Sequence, residues 1–301
     1  MNPNATPASS PQQKIAIGIL MIIGSGCLLS VMDTFSKHLG QTIDVMFVIW
    51  GRYFFHTVLT TLFLSAGGSF SYLKSNKPKL QTIRASLLLL ATVCMYNGLQ
   101  FMSLAEATAI MFLAPMLMTA FSVPLLGERV GLHRWSAVVA GFIGVVLVIR
   151  PGAEVFNPFS FLPLAAAVCV SLYMILTRTL STQDRQQTTT FYSTAVGTLV
   201  LSAGLPFFWS SLEPLSWVLM VSMGATGAIG HFLLIKAFHR APASVLAPFT
   251  YSQLIFSGLL SIWIFGDIPD TWGLAGAALI LAGGLYVWYR ETFAVRPPRS
   301  K

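Results

Sequence analysis

Charged residues are scarce in this chain of 301 residues, because Asp, Glu, Lys and Arg together make up only 9% of it. Soluble domains carry about 25% charged residues, so these side chains cannot cover the surface of a water-soluble protein of this size. Hydrophobic residues make up 55% of the chain, and its mean hydropathy is +0.72. The composition therefore excludes a cytosolic globular protein, a disordered chain and a disulfide-stapled secreted domain, and it indicates a membrane protein with many spans.

Cysteines and catalytic motifs are scarce too. The three cysteines, Cys27, Cys94 and Cys169, lie inside apolar stretches without CxxC spacing, which favours packing residues over metal ligands or disulfides. The chain contains no Walker A, HExxH or GxSxG motif and no paired His and Cys residues at metal-binding spacing. The sequence therefore predicts no ATP hydrolysis within this chain, no metal or other cofactor, and no enzyme activity.

Ten apolar stretches follow one another along the chain, and they predict an all-α membrane protein with ten transmembrane helices. The ends of the chain are predicted to be cytoplasmic tails, disordered at residues 1–14 and basic at residues 292–301. The predicted spans are 15–36, 44–66, 85–102, 105–126, 132–149, 159–178, 189–209, 214–236, 243–265 and 272–289.

The positions of the cations predict how the chain crosses the membrane. With a cytoplasmic N-terminus, fifteen of the eighteen Lys and Arg residues fall in cytoplasmic segments, Arg84 among them. Only Lys37 and Arg150 fall outside, and Arg52 lies within the membrane. This bias follows the positive-inside rule, so both termini are predicted to be cytoplasmic in a bacterial inner membrane. The net charge of +8 therefore reflects topology, and no nucleic-acid partner is expected.

The chain contains an internal repeat of five spans. The same order of segments occurs twice, in spans four and five and again in spans nine and ten. An apolar helix is followed by a Gly-acid break and then by a Gly-rich helix. Because five is odd, the second copy must enter the membrane upside down relative to the first. Inverted repeats are typical of secondary transporters, whose substrate site lies near the midplane, and a duplicated structural membrane protein is the alternative. The matching positions are Gly127-Glu128 with Gly266-Asp267, Gly144 with Gly284, Arg150 with Arg290 and, less closely, residues 35–39 with 176–180, which pairs Lys37 with Arg178.

A set of short motifs recurs in the two halves. It consists of Pro115, Gly127-Glu128, Gly141-x-x-Gly144-Val145 and Arg150-Pro151-Gly152, followed by Gly266-Asp267 and Arg290-Glu291. This set resembles the EamA family of the drug/metabolite transporter superfamily, with repeats at 15–150 and 159–291. The resemblance implies a ten-helix bundle around a central cavity lined mainly by the third, fourth, eighth and ninth spans. It also implies export or uptake of small metabolites, and within the family the chain is similar to the YddG-like amino-acid exporters.

Charges at membrane depth are few, which makes Asp33 and Arg52 informative. At the centre of a span each costs about 2.5–3.5 kcal/mol on insertion scales, so both are expected to face the bundle interior or water. Arg52 could hold a substrate carboxylate through its two-pronged guanidinium, and Asp33 could hold an ammonium or a proton. Alternatively, the two residues form a structural ion pair between the first two spans, and the sequence favours neither role.

Further polar and aromatic residues within the spans are candidates for substrate binding. For the amides and tyrosines, hydrogen bonding between helices is an equal alternative. His231 is predicted to be buried and neutral, with a proton relay as the alternative, and His56 lies one turn beyond Arg52 in the same network. Pro115 and Pro248 predict broken turns in spans four and nine. The candidates besides Asp33 and Arg52 are Trp50, Tyr96, Asn97, Gln100, His231, Tyr251 and Gln253.

Together these observations predict a secondary transporter that exports small metabolites, above all neutral or aromatic amino acids, across the inner membrane by alternating access. The expected partners are a small-molecule substrate, the lipid bilayer and, as a candidate coupling ion, the proton. The alternatives are a transporter of another metabolite or drug-like solute in either direction, a lipid-processing membrane enzyme, and a membrane scaffold that transports nothing. An enzyme would need a clustered nucleophile, metal or acid–base set, and the sequence shows none.

Overall fold

The computed structural model describes residues 11–65, 70–128, 130–151 and 156–290. These residues form twelve α-helices and contain no strand. Two pairs, α4 with α5 and α10 with α11, continue one another as single broken spans. The helices are α1 (Pro11–Gly40), α2 (Val45–Ser65), α3 (Pro78–Gly98), α4 (Leu104–Met111), α5 (Ala114–Leu126), α6 (Leu132–Ile149), α7 (Phe161–Leu180), α8 (Gln186–Phe208), α9 (Pro214–Phe238), α10 (Ala243–Thr250), α11 (Ser252–Phe265) and α12 (Thr271–Tyr289).

Nine helical segments in the described part of the chain are long and apolar enough to cross a membrane. The tenth segment is α3, which has 21 residues but carries Lys79 and Arg84 in its first two turns. The chain is therefore an all-α membrane protein with ten helical segments in two five-segment halves, as the sequence predicts.

Two helices begin four or more residues earlier than predicted. Helix α1 begins at Pro11, so residues 11–14 of the predicted tail are helical, while residues 1–10 and the tail at 292–301 lie outside the described residues. Helix α3 begins at Pro78, because proline suits the first position of a helix. Arg84, predicted to lie in a cytoplasmic loop, is consequently inside a helix and fully buried.

The largest helix interfaces join the first half of the chain to the second. Helix α1 packs on α9, α3 on α7, α6 on α12, and α2 on both α8 and α9. Neither half therefore forms a separate bundle, because each buries its apolar helix faces against the other.

The two halves end their broken spans in the same way. Gly127 (φ 67°) and Gly266 (φ 70°) terminate α5 and α11 in the left-handed conformation, which glycine adopts without strain. In each case the N–H of the following acid, Glu128 or Asp267, donates to the carbonyl oxygen six residues earlier. The alignment of these two Gly-acid breaks in the sequence is therefore confirmed.

Two ion pairs also occupy equivalent positions in the two halves. Lys37 Nζ lies 2.5 Å from Asp267 Oδ2, and Arg178 Nη2 lies 2.6 Å from Glu128 Oε1. The repeat aligns the two cations with each other and the two acids with each other, so the same contact between halves forms twice, at opposite ends of the bundle. The hydrogen bond from Arg178 holds the pKa of the Glu128 carboxyl below its usual value. We call the end with Glu128, where the lysine-bearing loop at 70–77 also lies, the basic end, and the other the acidic end.

Helices α6 and α12 cross at two glycines. A Cβ added to Gly144 would lie 2.8 Å from the carbonyl oxygen of Gly276, and one added to Gly276 would lie 2.5 Å from that of Gly144. Small residues permit this close approach of two backbones within a membrane. Gly284, the counterpart of Gly144 in the sequence repeat, faces the Tyr251 side chain instead.

Candidate substrate site

Spans four and nine are broken where they approach each other. Helix α4 gives way to α5 at Phe112, and α10 gives way to α11 at Tyr251, and the two ring centres lie 5.0 Å apart. Pro115 lies in the first turn of α5 and Pro248 in the last turn of α10, so both predicted broken turns are confirmed. The Tyr251 ring therefore packs against the Phe112 ring at the junction of the two broken spans.

A cavity of about 90 Å³ lies beside Arg52. Arg52 is seven residues into α2, which places it about 10 Å from the acidic end of that helix and about 20 Å from the basic end. The walls come from α2, α3, α7, α8 and α9, so the third and eighth spans line the cavity as expected, but the broken fourth and ninth spans do not. The lining residues are Arg52, Tyr53, His56, Leu88, Tyr173, Thr190, Ser193, Thr194, His231 and Ile235.

Arg52 is half-buried and lies between two aromatic rings. Its guanidinium carbon is 5.0 Å from the ring centre of Tyr96 and 5.8 Å from that of Tyr53. The negative faces of the rings attract the cation. Within the described ranges, no carboxylate oxygen lies within 4.0 Å of the guanidinium. Arg52 therefore lines the cavity with its charge unmatched by a directly bonded acid.

Asp33 on α1 faces Arg52 without bonding to it. Its side chain is 7% exposed and its charge interacts with that of Arg52, yet no basic nitrogen of the described residues lies within 4.0 Å of its carboxylate. The direct ion pair, one of the two predicted roles, is therefore not formed in this conformation. Charges at membrane depth are costly without a direct partner, so a ligand that carries the opposite charges would lower this cost.

Two histidines lie on the basic side of Arg52. The rings of His56 and His231 are 5.5 Å apart between centres, and both line the cavity. The close approach of α9 to α2 that brings them together depends on Gly224, where an added Cβ would lie 2.4 Å from Phe55 Cβ. The glycines of α9 therefore act in packing, as the sequence favours, and the predicted network of Arg52, His56 and His231 is a set of neighbours around one cavity.

Several predicted site residues lie elsewhere. Trp50 stacks between Phe47 and Phe54, with ring centres at 5.3 and 5.0 Å, and its indole N–H donates to Ser202 Oγ at 3.0 Å. It is thus a packing residue between α2 and α8. Gln253 belongs to the contact between α11 and α1, where its backbone carbonyl accepts a hydrogen bond from Ser30.

The amides of the third span bond to their own helix. Asn97 Nδ2 donates to the Val93 carbonyl at 2.8 Å, and Gln100 Nε2 donates to the Tyr96 carbonyl at 3.1 Å. Neither amide lines the cavity. Each amide N–H group thus bonds back to the preceding turn of its own helix, whereas Gln100 Oε1 is buried without a hydrogen-bond partner among the described residues. Tyr96 differs from both, because its ring contacts Arg52.

Arg84 is a buried residue beside the cavity that the sequence did not mark. Its guanidinium donates to Gln81 Oε1, Thr177 Oγ1, the Thr189 carbonyl and Ser193 Oγ at 2.6–3.2 Å. It also lies 4.7 Å from the ring centre of Tyr173. Arg84 thereby positions two wall residues of the cavity, one on α7 and one on α8. The only signal in the sequence was Pro78, which marks a helix start six residues earlier.

Comparisons with known proteins agree with this architecture. The EamA-like transporter family profile matches residues 16–150 and 159–289. Similar proteins include the S-adenosylmethionine uptake transporter of Rickettsia bellii, 29% identical over 93% of this chain and 96% of the relative. The riboflavin transporter of Vibrio cholerae is 30% identical over 65% of this chain and 66% of the relative. The pseudopaline exporter CntI of Pseudomonas aeruginosa is 24% identical over 88% and 93%.

The fold has a counterpart among solved structures. One crystal structure of a protein 19% identical to this chain matches it with a TM-score of 0.62, over 95% of this chain and 99% of its own. At that identity the likeness supports the fold alone.

The role of Arg84 can be tested by removing its charge. Arg84→Met should lower the free energy of unfolding by about 3 kcal/mol or more, because four acceptors would lose a charged donor. Lys79→Met is the matched control, since Lys79 is exposed on the same helix. Thermal unfolding in detergent measures both variants. Equal stabilities for the two would show that the buried hydrogen bonds of Arg84 do not support the fold.

Proposed function

The chain belongs to the EamA-like transporter family, and from that premise we propose that it is a secondary transporter of zwitterionic, amino-acid-type metabolites. The family and the relatives make it a multi-pass membrane transporter of small metabolites and not an enzyme. The zwitterionic substrate, the orientation and the coupling ion go beyond what the family establishes.

The observation that carries the proposal is Arg52 at the cavity wall, with no acid of the described residues bonded to it. A substrate carboxylate would accept two parallel hydrogen bonds from this guanidinium. Asp33, a buried acid whose charge interacts with that of Arg52, is the candidate partner for an ammonium group. An amino-acid group carries both charges on one carbon and would compensate both protein charges at once.

The names of the relatives support a substrate of this kind. S-adenosylmethionine is named for the relatives in Rickettsia species, and this compound is itself an amino-acid derivative. The names include both uptake and export. Because this chain contains no nucleotide-binding motif, we propose that the gradients of substrate and coupling ion set the direction of net transport.

The zwitterion site can be tested with Arg52→Gln. This variant should bind amino-acid-type ligands at least about tenfold more weakly, because a charged, two-pronged hydrogen bond is lost. Arg52→Lys should recover only part of the affinity, since it keeps the charge without the fork. Arg185→Gln removes an exposed cation outside the cavity and is the matched control. The measurements are ligand-induced thermal stabilisation and counterflow in proteoliposomes with S-adenosylmethionine, tryptophan and phenylalanine. Unchanged binding by Arg52→Gln would refute the site.

We propose that both termini face the cytoplasm of a bacterial inner membrane, so that the basic end of the bundle is cytoplasmic. Single cysteines in a variant without native cysteines test this orientation. A cysteine at Thr182, an exposed position at the basic end, should be protected from an impermeant thiol reagent in intact cells. Cysteines at Ser211 and Thr271, exposed at the acidic end, should react. The opposite labelling pattern would show that both termini face away from the cytoplasm.

We propose protons as the coupling ions, because His56 and His231 line the same cavity as Arg52, and the charge of Asp33 interacts with that of Arg52. These are the titratable groups through which substrate binding could change proton occupancy. Uphill transport in proteoliposomes should stop when the pH gradient and the membrane potential are both dissipated. Continued accumulation under those conditions would exclude proton coupling, while loss of accumulation with counterflow preserved would support it.

A further inference from the structure

The cavity beside Arg52 is too small for a whole molecule of S-adenosylmethionine or riboflavin, the compounds named for relatives of this chain. Its volume of about 90 Å³ is smaller than that of a protein cavity that holds one benzene molecule, about 150 Å³. A carboxylate and an ammonium on one carbon would nearly fill it. Any larger part of a ligand must therefore extend out of this cavity.

A second, larger space adjoins the cavity. This lateral groove has a volume of about 610 Å³ and runs between α2, α8 and α9 towards the basic end. It shares four lining residues with the cavity, so only these side chains lie between the two spaces. The shared residues are His56, Thr190, His231 and Ile235.

The walls of the lateral groove are apolar and aromatic. Phe63 on α2 and Phe232 on α9 meet edge to face, with ring centres 4.9 Å apart. Phe63 is 60% exposed although it faces the groove. Two small residues, Ala225 and Ala228, line the facing stretch of α9 and leave room that larger side chains would fill. An aromatic group of a ligand could pack against these two rings in the edge-to-face or offset geometries that aromatic pairs prefer.

We propose that the lateral groove binds the bulky apolar or aromatic body of the substrate while its zwitterionic head lies beside Arg52. The inference rests on the proposed function, and it names the substrate class more narrowly, as amino acids and amino-acid derivatives with a large, flat side group. The polar residues that line both spaces favour a substrate over a lipid acyl chain. An acyl chain would match the apolar walls but would offer nothing to the imidazoles and the threonine among these shared residues.

The experiment compares ligands that share one part of this structure. Tryptophan and alanine have the same head, whereas tryptamine and indole-3-propionate keep the indole and each lack one charge. Wild-type protein should bind tryptophan about tenfold or more tightly than alanine, since the indole leaves water for an apolar wall. Phe63→Ala and Phe232→Ala should remove most of that difference without changing the affinity for alanine. Phe207→Ala, at an exposed phenylalanine on α8 outside the groove, is the matched control.

A second variant covers the case in which the alanine substitutions impair folding. Leu59→Trp would fill the groove, so it should exclude tryptophan and leave alanine binding unchanged. The inference would be overturned if the wild type bound alanine and tryptophan with equal affinity, or if the groove variants lost affinity for both ligands equally. In either case a lipid chain would be the better candidate for the groove. If tryptamine and indole-3-propionate bind as well as tryptophan, the groove inference stands and the zwitterion site is wrong. If none of the four binds, both are wrong.

Discussion

The fold depends on the packing of each half of the chain against the other. Helices α1, α3 and α6 pack on α9, α7 and α12, so each half covers the apolar helix faces of the other. Two ion pairs complete this arrangement at the ends of the bundle. The side chains of Arg178 and Glu128 are 56% and 30% exposed, and those of Lys37 and Asp267 are 8% and 34% exposed, so neither pair is fully buried and neither adds much net stability. Each pair joins the end of a broken span to the first helix of the opposite half.

This interlocking explains why the cavity lies where it does. Helices α2 and α8 occupy equivalent places in the two halves and contact each other across the bundle, with α3, α7 and α9 beside them. The cavity sits among these five helices, and the broken spans pack behind it. The glycine at 224 lets α9 approach α2, which brings His231 to His56 and defines one wall. The position of the site thus follows from close helix packing, and the polar side chains occupy space that this packing leaves.

Most of the architecture could be predicted from the sequence, because a membrane restricts the choices. The number of spans, the inverted repeat, the two breaks and the Gly-acid caps each leave a local pattern in the chain. The sequence marks Arg52, His56 and His231 as candidates because charged and imidazole side chains are costly at membrane depth and therefore rare in spans. Asn97 and Gln100 lie outside this cavity, and the sequence could not show that their amide nitrogens bond to their own helix. Ser193, Thr194 and Tyr173 left no signal, because hydroxyl side chains are ordinary in spans and only the tertiary structure shows that they share one cavity.

A comparison of three cations in the bundle supports the proposal that Arg52 binds the substrate. Each must be compensated, because a charge at membrane depth is costly without partners. Lys37 has Asp267 at 2.5 Å and the Met102 carbonyl at 3.0 Å, so its partners are complete. Arg84 has no acid among the described residues, but four neutral oxygens accept its hydrogen bonds. Arg52 has the faces of two tyrosine rings and an acid that it does not bond directly. A purely structural arginine would be selected for complete hydrogen bonding, as Arg84 shows within the same molecule. Incomplete compensation next to a cavity is the condition under which a bound carboxylate lowers the free energy of the whole site.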